Sequence, residues 1–385
     1  MLKKWHLFTP GPVPVHPKVL LAGAGPIPHH RLPEFSAIIS EIRQDLKYLF
    51  QTERPVFFFA SSGTGAMEAA VANILSPGET VLVVRGGKFG ERWGEIAETY
   101  GLKPLYVDVP WGKAVRPEEV EQKLKAHPEI RAVLVQAHET STGVKHPVQE
   151  LAEITRSQET LLIVDAISAL GVYPLPMDEW GLDVVVAGSQ KSLGLPPGLA
   201  FIALSEKAWS RVEHNGLPRY YFDLRREWKA YQKDTTAYTP AVSLLLSLRE
   251  SLKHIRETGL ERLFAHYRLL SGACREGVRA IGLKLFAEEP SEALTVIELP
   301  EGMDGGRLNR LLREKYGVVF AGGQGKLKGR VVRITHMGDQ SPLEVVLALS
   351  ALEIGLSEMG YPVKMGAGVS KALEYLKEKS GEVSI

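Results

Sequence analysis

The sequence predicts an α/β protein, with a mainly parallel seven-stranded sheet in a large domain and a smaller C-terminal α/β domain. Apolar runs of four to seven residues recur between residues 55 and 205, and they are near-continuous rather than alternating. Strands buried on both faces have this pattern. Helical patterns lie between most of the runs, and such alternation favours parallel pairing with helices on both faces of the sheet.

Seven strands are predicted in this first part of the chain. They are the runs PVFFFAS, TVLVVRG, PLYVDV, RAVLVQA, LLIVDAIS, DVVVAGSQ and LAFIALS. The clearest helical patterns between them cover residues 65–76, 89–101 and 147–158. A strand, a helix and the next strand in succession indicate a mainly parallel sheet with helices on both faces.

The pattern changes from about residue 241. A long helical region leads into four short strands, LKLFA, TVIELP, GVVFAG and RVVRITHMG, with helices at about 304–316 and 342–359. The tail, VSKALEYLKEKSGEVSI, has the pattern of one amphipathic helix. We therefore expect residues 1–255 to form an N-terminal segment plus the large domain, and residues 256–385 to form the small domain with its terminal helix.

Length and composition limit the class of protein. With 385 residues, 44% of them hydrophobic, the chain can bury a large core. Its apolar runs are far shorter than the roughly 20 residues that cross a bilayer, and no signal-like apolar run follows its first lysines, so we expect a cytoplasmic protein without membrane contact. The balance of 46 basic and 45 acidic residues gives no reason to expect nucleic acid as a partner.

The chain has one cysteine, Cys274, which excludes an intrachain disulfide. It lies in a helical pattern, LLSGACREGVRAIG, and we expect a buried thiol rather than a nucleophile.

Open parallel sheets bind ligands at the carboxyl ends of their strands, and four strand ends here carry polar residues. The first is SSGTG at residues 61–65, where a helix begins at once. Small residues at a helix N-terminus leave N–H groups and hydroxyls available for an anion, although a turn with a helix cap explains the segment equally well. The segment matches neither the dinucleotide fingerprint nor the nucleotide phosphate loop.

The second and third strand ends carry Thr140 in HETSTGV and Asp165 in LLIVDAISALG. The hydroxyls of the HETSTGV segment can bond a ligand or cap the next segment. A buried carboxylate such as Asp165 requires a cationic or donor partner, which a helix cap or a structural salt bridge would also supply. His138 and Glu139 do not form the HExxH motif, and no metal site is expected.

The fourth strand end, in DVVVAGSQKSLGLPPG, carries Lys191 into a Gly/Pro loop. Desolvation at a buried strand end favours the neutral, nucleophilic amine, whereas a surface lysine is the alternative. An anion cradle, a hydroxyl, an aspartate and a lysine on successive strand ends together match pyridoxal phosphate. The lysine would form a Schiff base with its aldehyde, Asp165 would pair with its ring nitrogen, and the cradle would hold its phosphate.

Several motifs extend this interpretation: TPGP, SSGTGAMEAA, HETSTGV, the block at 161–205, AYTPAVSLLLSLRE and VVRITHMG. Together they resemble the class V aminotransferases, particularly the alanine–glyoxylate and serine–pyruvate (serine–glyoxylate) group, from about residue 7 to about residue 360. The resemblance implies the aspartate-aminotransferase-like fold, which is fold type I of the pyridoxal-phosphate-dependent transferases. It also implies pyridoxal 5′-phosphate as cofactor and a homodimer with two active sites at the subunit interface.

The resemblance also implies roles for single residues. Lys191 corresponds to the Schiff-base lysine, Asp165 to the partner of the ring nitrogen, and Thr140 to the hydroxyl that bonds the phenolic oxygen. The phosphate contacts correspond to Ser62, Gly63, Thr64 and Gln190. Thr64 stands where the animal enzymes often have histidine, and its hydroxyl can still donate.

Three further features correspond to the family. Phe89 falls where the family places an aromatic that stacks on the pyridine ring, with a core phenylalanine as the alternative. In DTTAYTPAVS, Thr239 is our first choice for a hydroxyl given to the neighbouring subunit's phosphate, followed by Tyr238 and Thr236. Neither subunit alone would then complete a site.

Arg333 corresponds to the arginine that binds the substrate α-carboxylate through two parallel N–H groups. Strand alternation puts Arg330 on the opposite face, so only one of the two arginines should point at the ligand.

The expected reaction moves the amino group of alanine or serine to glyoxylate or pyruvate in two half-reactions, with the freed Lys191 amine acting as general base and acid. Aspartate or phosphoserine specificity would need a second cation, for which His30, Arg31 and Lys326 are candidates. A subunit of a larger complex that retains the fold is a further alternative. A cysteine desulfurase would need a mobile cysteine, and a nicotinamide dehydrogenase would need the glycine fingerprint that the sequence lacks.

Overall fold

The structure is a computed structural model that describes residues 4–215, 217–379 and 381. Its strands are β1 (His6–Phe8), β2 (Val56–Phe59), β3 (Thr80–Arg85), β4 (Lys103–Asp108), β5 (Ile130–Gln136), β6 (His138–Glu139), β7 (Val144–Lys145), β8 (Leu161–Asp165), β9 (Val184–Gly188), β10 (Ala200–Leu204), β11 (Lys284–Leu285), β12 (Leu294–Glu298), β13 (Val318–Gly322) and β14 (Val331–Thr335).

The helices alternate with the strands over most of the chain. They are α1 (Pro17–Gly23), α2 (Pro33–Phe50), α3 (Gly63–Ile74), α4 (Lys88–Thr99), α5 (Pro117–Ala126), α6 (Val148–Thr155), α7 (Met177–Trp180), α8 (Glu206–His214), α9 (Leu224–Tyr231), α10 (Val242–Thr258), α11 (Leu260–Ala280), α12 (Gly305–Leu311), α13 (Pro342–Glu358) and α14 (Ala367–Lys379). A π-helical turn covers Leu312–Tyr316 and a 3₁₀ turn covers Gly325–Leu327.

The seven predicted strands form one sheet with the order β2-β10-β9-β8-β5-β3-β4. The five strands from β9 to β4 pair in parallel, whereas β10 is antiparallel to both of its neighbours. Strands β8 and β9 are buried at every position because apolar clusters cover both faces of the sheet, which explains their near-continuous apolar sequence. The prediction of a mainly parallel seven-stranded sheet is confirmed.

A second sheet has the order β1-β13-β14-β12-β11, and four of its strands are those predicted after residue 241. The fifth, β1, pairs in parallel with β13, so the N-terminal segment completes a sheet built from the other end of the chain. The sequence predicts no strand in this segment, because three residues are too few to show a period. The division of the chain near residue 255 stays a prediction.

The C-terminal part packs its helices on one another around a separate apolar cluster. Cys274 lies fully buried on α11, and burial raises the pKa of its thiol to about 11. The expected buried thiol is thereby confirmed. The terminal helix is α14, and the end of the predicted tail, residues 380 and 382–385, lies outside the described residues.

No helix within the described ranges combines the length and the apolar character that a membrane span requires.

Candidate active site

Polar side chains from neighbouring strands meet at the carboxyl edge of the large sheet. Asp165 is the last residue of β8, and Lys191 follows β9 by three residues. His138 and Thr140 follow β5, which is the other neighbour of β8. Because these three strands are parallel, their carboxyl ends lie at one edge and the four side chains converge there.

The Lys191 amine is buried, with 9% of the residue exposed, and it donates a hydrogen bond to the carbonyl of Pro10. Burial lowers its pKa to about 8, the positive charge of Arg333 lowers it as well, and the negative charge of Asp165 raises it. A substantial fraction of this amine is therefore neutral near physiological pH, as a nucleophile or a general base requires.

The Asp165 carboxyl is also buried, and burial raises its pKa to about 7. The backbone N–H of Ile167 donates to Oδ1 at 2.8 Å and lowers the pKa, whereas the charge of Glu139 raises it. A cationic group beside this carboxyl would favour its ionised form.

A cradle of small residues lies at the N-terminus of α3. Ser62 is the exposed N-cap residue, and its side chain makes no capping hydrogen bond. Gly63 lies against Ile167, so that a β-carbon at Gly63 would approach the Ile167 side chain to 2.6 Å. Thr64 Oγ1 accepts a hydrogen bond of 3.1 Å from the half-buried Arg92 guanidinium. The helix terminus and the guanidinium together form an anion-binding arrangement.

Glu139 joins the first turn of α4 to the loop after β5. Its fully buried carboxylate accepts hydrogen bonds from the N–H groups of Phe89 at 3.1 Å, Gly90 at 3.0 Å and Ser141 at 3.2 Å. The Ser141 hydroxyl donates a further bond of 2.5 Å. Burial raises the pKa of Glu139, and these donors oppose that shift. The position of the Phe89 ring, which lies 4.9 Å from the Arg92 guanidinium carbon, therefore depends on Glu139.

Arg333 on β14 reaches the same loop. Its Nη1 donates to the Thr140 carbonyl at 2.8 Å and its Nε donates to the Gly322 carbonyl at 2.9 Å. Burial lowers the pKa of Arg333 to about 10, a value at which the guanidinium stays charged at neutral pH. Arg330 is exposed, so the two arginines differ in the way that strand alternation predicts.

Thr236, Tyr238 and Thr239 have other surroundings. The Tyr238 hydroxyl donates to the Tyr220 carbonyl at 2.8 Å, and its ring stacks on Tyr221 with a centroid distance of 5.3 Å. Thr236 Oγ1 donates to the Tyr238 carbonyl at 2.6 Å, and Thr239 is exposed. Thr236 and Tyr238 line an open cavity of about 890 Å³. No residue of the buried cluster around Lys191 lines this cavity. The buried cluster, and not this cavity, holds titratable groups with strongly shifted pKa values on converging strand ends, so the buried cluster is the candidate active site.

Three buried polar atoms at the sheet edge have no hydrogen-bond partner among the described residues. They are Oε1 of Gln136, the last residue of β5, Oε1 of Gln190, which follows β9, and Nε2 of His138. Buried polar atoms are nearly always bonded in folded proteins, so these three indicate a ligand or ordered water at this edge.

Five residues of the site were not predicted from the sequence: Arg92, His138, Glu139, Ser168 and Gly11, at which a β-carbon would lie 2.6 Å from Lys191 Nζ. Ser168 lies in the LLIVDAISALG run, and its hydroxyl is 2.6 Å from Thr140 Oγ1. A polar residue inside an otherwise apolar block was the available signal for Ser168, and a carboxylate directly after a buried strand was the signal for Glu139.

Known proteins resemble this chain over nearly its full length. The family model of the class V aminotransferases matches residues 24–331. A soluble hydrogenase small subunit from Synechococcus sp. is 40% identical over 98% of this chain and 99% of its own length. An L-aspartate–glyoxylate aminotransferase from Paracoccus denitrificans is 37% identical, with 97% and 96% covered. A serine–glyoxylate aminotransferase from Methylorubrum extorquens is 36% identical, with 97% and 96% covered.

Solved structures resemble it equally well. The crystal structure of ureidoglycine–glyoxylate aminotransferase from Bacillus subtilis superposes with a TM-score of 0.94 at 30% identity, and the match covers 98% of this chain and 99% of the other. Alanine–glyoxylate aminotransferase from Nostoc sp. superposes with a TM-score of 0.89 at 32% identity, covering 92% and 96%. The expected aspartate-aminotransferase-like fold of type I is confirmed. The chain belongs to the class V aminotransferases, and it is a transaminase that depends on pyridoxal 5′-phosphate.

Proposed function

We propose that this transaminase moves the amino group of a small amino acid, alanine or serine, to glyoxylate or pyruvate, with Lys191 as its catalytic residue. The observation that supports this most strongly is the buried Lys191 amine with a pKa of about 8, close enough to Asp165 and Arg333 for their charges to shift it. A lysine has no structural reason to occupy such a place, because burial of an amine is costly.

The residues of the cluster fit pyridoxal phosphate. The N-terminus of α3 with Ser62, Gly63 and Thr64 would hold the phosphate. The Gln190 side chain lies close by, because its unpartnered Oε1 and the Cα of Gly63 are each 3.4 Å from the point where a β-carbon of Gly188 would be. Asp165 would hold the ring nitrogen and Thr140 the phenolic oxygen. Phe89 would cover one face of the ring.

The bound cofactor supplies an aldehyde that carries the amino group and a ring that withdraws electrons from the substrate Cα. Lys191 Nζ, with both protonation states populated near pH 8, can take the Cα proton and return it at another atom. Asp165, when ionised, would hold a proton on the ring nitrogen and so maintain the electron withdrawal. Arg333 would orient the substrate carboxylate through its planar N–H groups.

Glyoxylate as acceptor is supported by the names of the Paracoccus and Methylorubrum relatives. The Paracoccus name also favours aspartate as an alternative donor. Of the candidate cations for a second carboxylate, Arg31 already donates to Thr235 Oγ1 and the Thr236 carbonyl, and the Lys326 amine lies 4.4 Å from the Trp111 ring centroid. These contacts make Arg31 and Lys326 less available to a second carboxylate, which supports a small donor.

The donor is tested by mixing the purified, cofactor-loaded enzyme with alanine, serine, aspartate or phosphoserine and recording the cofactor absorbance. We expect alanine or serine to convert the spectrum, and glyoxylate or pyruvate to restore it. Conversion by aspartate alone would establish the alternative specificity. Lys191→Ala is the control that should abolish both the characteristic absorbance and turnover.

We further propose a homodimer in which Thr239, with Tyr238 and Thr236, serves the phosphate of the neighbouring subunit. The support is that Thr239 is exposed and that the contacts of Tyr238 are with Tyr220 and Tyr221 rather than with the buried cluster. Thr239→Glu would repel the phosphate, and Lys191→Ala removes the amine, so each variant should be inactive.

Mixed dimers of these two variants decide the arrangement. Each hybrid dimer would contain one intact site if Thr239 acts across the interface, and an equal mixture should regain about a quarter of the wild-type activity. If Thr239 serves its own subunit, the mixture stays inactive.

A subunit of a larger complex is the second candidate, because the Synechococcus relative is named as a hydrogenase subunit. A purified chain whose absorbance responds to no amino acid would favour it. Among the described residues, no group of three or more His, Cys, Asp or Glu side chains is arranged to hold a metal ion. The proposal also includes a cytoplasmic location, which cell fractionation tests.

A further inference from the structure

We infer that His138 and Ser168 are positioning residues that fix the direction in which Thr140 donates its hydroxyl proton, so that this proton is kept for the cofactor. The inference rests on the proposed function, because it assumes that Thr140 bonds the phenolic oxygen.

The three side chains form a continuous chain of hydrogen bonds. His138 Nδ1 lies 3.0 Å from Ser168 Oγ, and Ser168 Oγ lies 2.6 Å from Thr140 Oγ1. All three residues are buried, with 2%, 4% and 3% of their surface exposed in that order. Water therefore has little access, and the direction of each bond is decided by the protein atoms themselves.

One contact settles the direction at the histidine. Nδ1 also lies 3.2 Å from the carbonyl oxygen of Ser168, and a carbonyl oxygen can only accept. If Nδ1 had no proton, its lone pair would face the lone pairs of that oxygen. Nδ1 therefore carries the hydrogen, which it shares between the Ser168 carbonyl and the Ser168 hydroxyl oxygen.

The second ring nitrogen agrees with this tautomer. Burial lowers the pKa of His138 to about 3, so the ring is neutral and only one nitrogen carries a hydrogen. Nε2 is buried and has no hydrogen-bond partner among the described residues. With the proton on Nδ1, this atom is an acceptor open to the ligand or ordered water that its lack of a partner indicates. If it stays unpaired, an acceptor is still the smaller cost, because an unpaired buried N–H donor is the rarer situation in folded proteins.

The direction then passes along the chain. Ser168 Oγ accepts from His138, and Thr140 Oγ1 is the remaining hydrogen-bond partner of this hydroxyl among the described residues. The buried Ser168 proton would be left without an acceptor unless it donates to Thr140 Oγ1. Thr140 Oγ1 accepts from Ser168, so the Thr140 hydroxyl proton is not used in the bond between these two side chains. This proton is therefore available to a ligand oxygen. A hydroxyl that already accepts one hydrogen bond is a stronger donor in the next, and a charged phenolic oxygen is the acceptor that gains most from it.

The first test uses the protein without cofactor. With ¹⁵N-labelled histidine, the nitrogen chemical shifts distinguish the two neutral tautomers, and His138→Gln identifies which of the 11 histidine signals belongs to His138. We expect the hydrogen on Nδ1. A signal of the opposite tautomer overturns the inference, and it does so whether or not the protein proves to be a transaminase.

The second test uses the pH dependence of the visible absorbance of bound pyridoxal phosphate. Removing the Ser168 hydroxyl weakens donation by Thr140 to the ionised phenolic oxygen, so Ser168→Ala should raise the pH midpoint by about 0.5 to 1 unit. If Thr140 instead donated to Ser168, the same substitution would release its proton and the midpoint would fall. An unchanged or lowered midpoint therefore contradicts the inference.

Four further variants complete the second test. Thr140→Val should raise the midpoint at least as much. Adding Ser168→Ala to Thr140→Val should have no further effect, because Ser168 acts on the cofactor only through the Thr140 hydroxyl. Ser168→Thr retains a hydroxyl and should keep the wild-type midpoint. Ser247→Ala removes another buried serine hydroxyl, which bonds the Val19 carbonyl, and should leave the midpoint unchanged. A wild-type protein that takes up no cofactor would contradict the proposed function and not this inference. The measurement of the His138 tautomer would still be valid.

Discussion

Gly11 lies directly against the end of the Lys191 side chain. A β-carbon at Gly11 would lie 2.6 Å from Lys191 Nζ and 2.9 Å from Cδ, and the carbonyl of the preceding Pro10 accepts a hydrogen bond from Nζ. Gly11 also has a φ of 139°, which L side chains rarely adopt. The N-terminal segment therefore forms a wall beside the amine, and only glycine leaves room for both.

Gly11→Ala should displace the Lys191 amine and strain the backbone. We expect kcat/KM to fall by about 100-fold, because a shift of about 1 Å at a reacting atom has this effect. Steady-state kinetics measure it, together with the absorbance of the bound cofactor. Gly25→Ala is the matched control, since Gly25 is exposed in the same N-terminal segment and the nearest atom to its new β-carbon lies 3.9 Å away. Equal kinetics for the two variants would contradict the contact between Gly11 and Lys191.

Lys191 should destabilise the protein that lacks cofactor. Its pKa of about 8 in the folded state is below its unfolded value, so the folded chain binds fewer protons and the free energy of unfolding rises between pH 8 and about 10.5. Below pH 8 the full penalty of about 3 kcal/mol is present. Lys191→Met removes it and should raise the free energy of unfolding in urea at pH 7.

The gain from Lys191→Met should shrink as the pH rises from 8 towards 10. Lys253→Met, at an exposed lysine, should leave the free energy of unfolding nearly unchanged at each pH. All samples need the same protein concentration, because association also affects apparent stability. A gain that does not depend on pH would indicate better apolar packing rather than relief of a buried charge.

Arg333 and Arg330 should differ sharply in their effect on catalysis. Lysine cannot make the two parallel N–H contacts of a guanidinium, so Arg333→Lys should raise the KM for the amino donor by about 30-fold or more, equivalent to about 2 kcal/mol. The exposed Arg330→Lys should leave KM within about twofold of the wild type. Initial rates at varied donor concentration measure both. If the two variants behave alike, Arg333 does not bind the substrate carboxylate.

Glu139→Gln should loosen the first turn of α4, which carries Phe89. A carboxamide has one acceptor oxygen, and its NH₂ group would face the N–H groups of Phe89, Gly90 or Ser141 that the carboxylate accepts. We expect a loss of about 1 to 3 kcal/mol in the free energy of unfolding, measured in urea, and weaker retention of the cofactor on dialysis. Glu95→Gln on the exposed face of α4 is the control. An unfolding midpoint equal to that of the wild type would show that the buried carboxylate is dispensable.

Much of the architecture could be predicted from the sequence because its signals are local. Buried strands such as β8 and β9 appear as unbroken apolar runs, and helices appear through their 3.6-residue period. Since parallel strands end at one edge of a sheet, the residues that follow them could be expected to meet, and Asp165, Thr140 and Lys191 do converge there.

Only the tertiary structure decided the contacts between segments that are distant in the sequence. The short strand β1 pairs with β13, more than 300 residues away, and no periodicity reports such a partner. Ser168 meets Thr140 because β5 and β8 are neighbours, an order that the apolar runs do not encode. Apolar patterning records whether a residue is buried, since burial depends on the residue itself. A hydrogen bond also depends on the position and direction of its partner, and these exist only once the chain is folded.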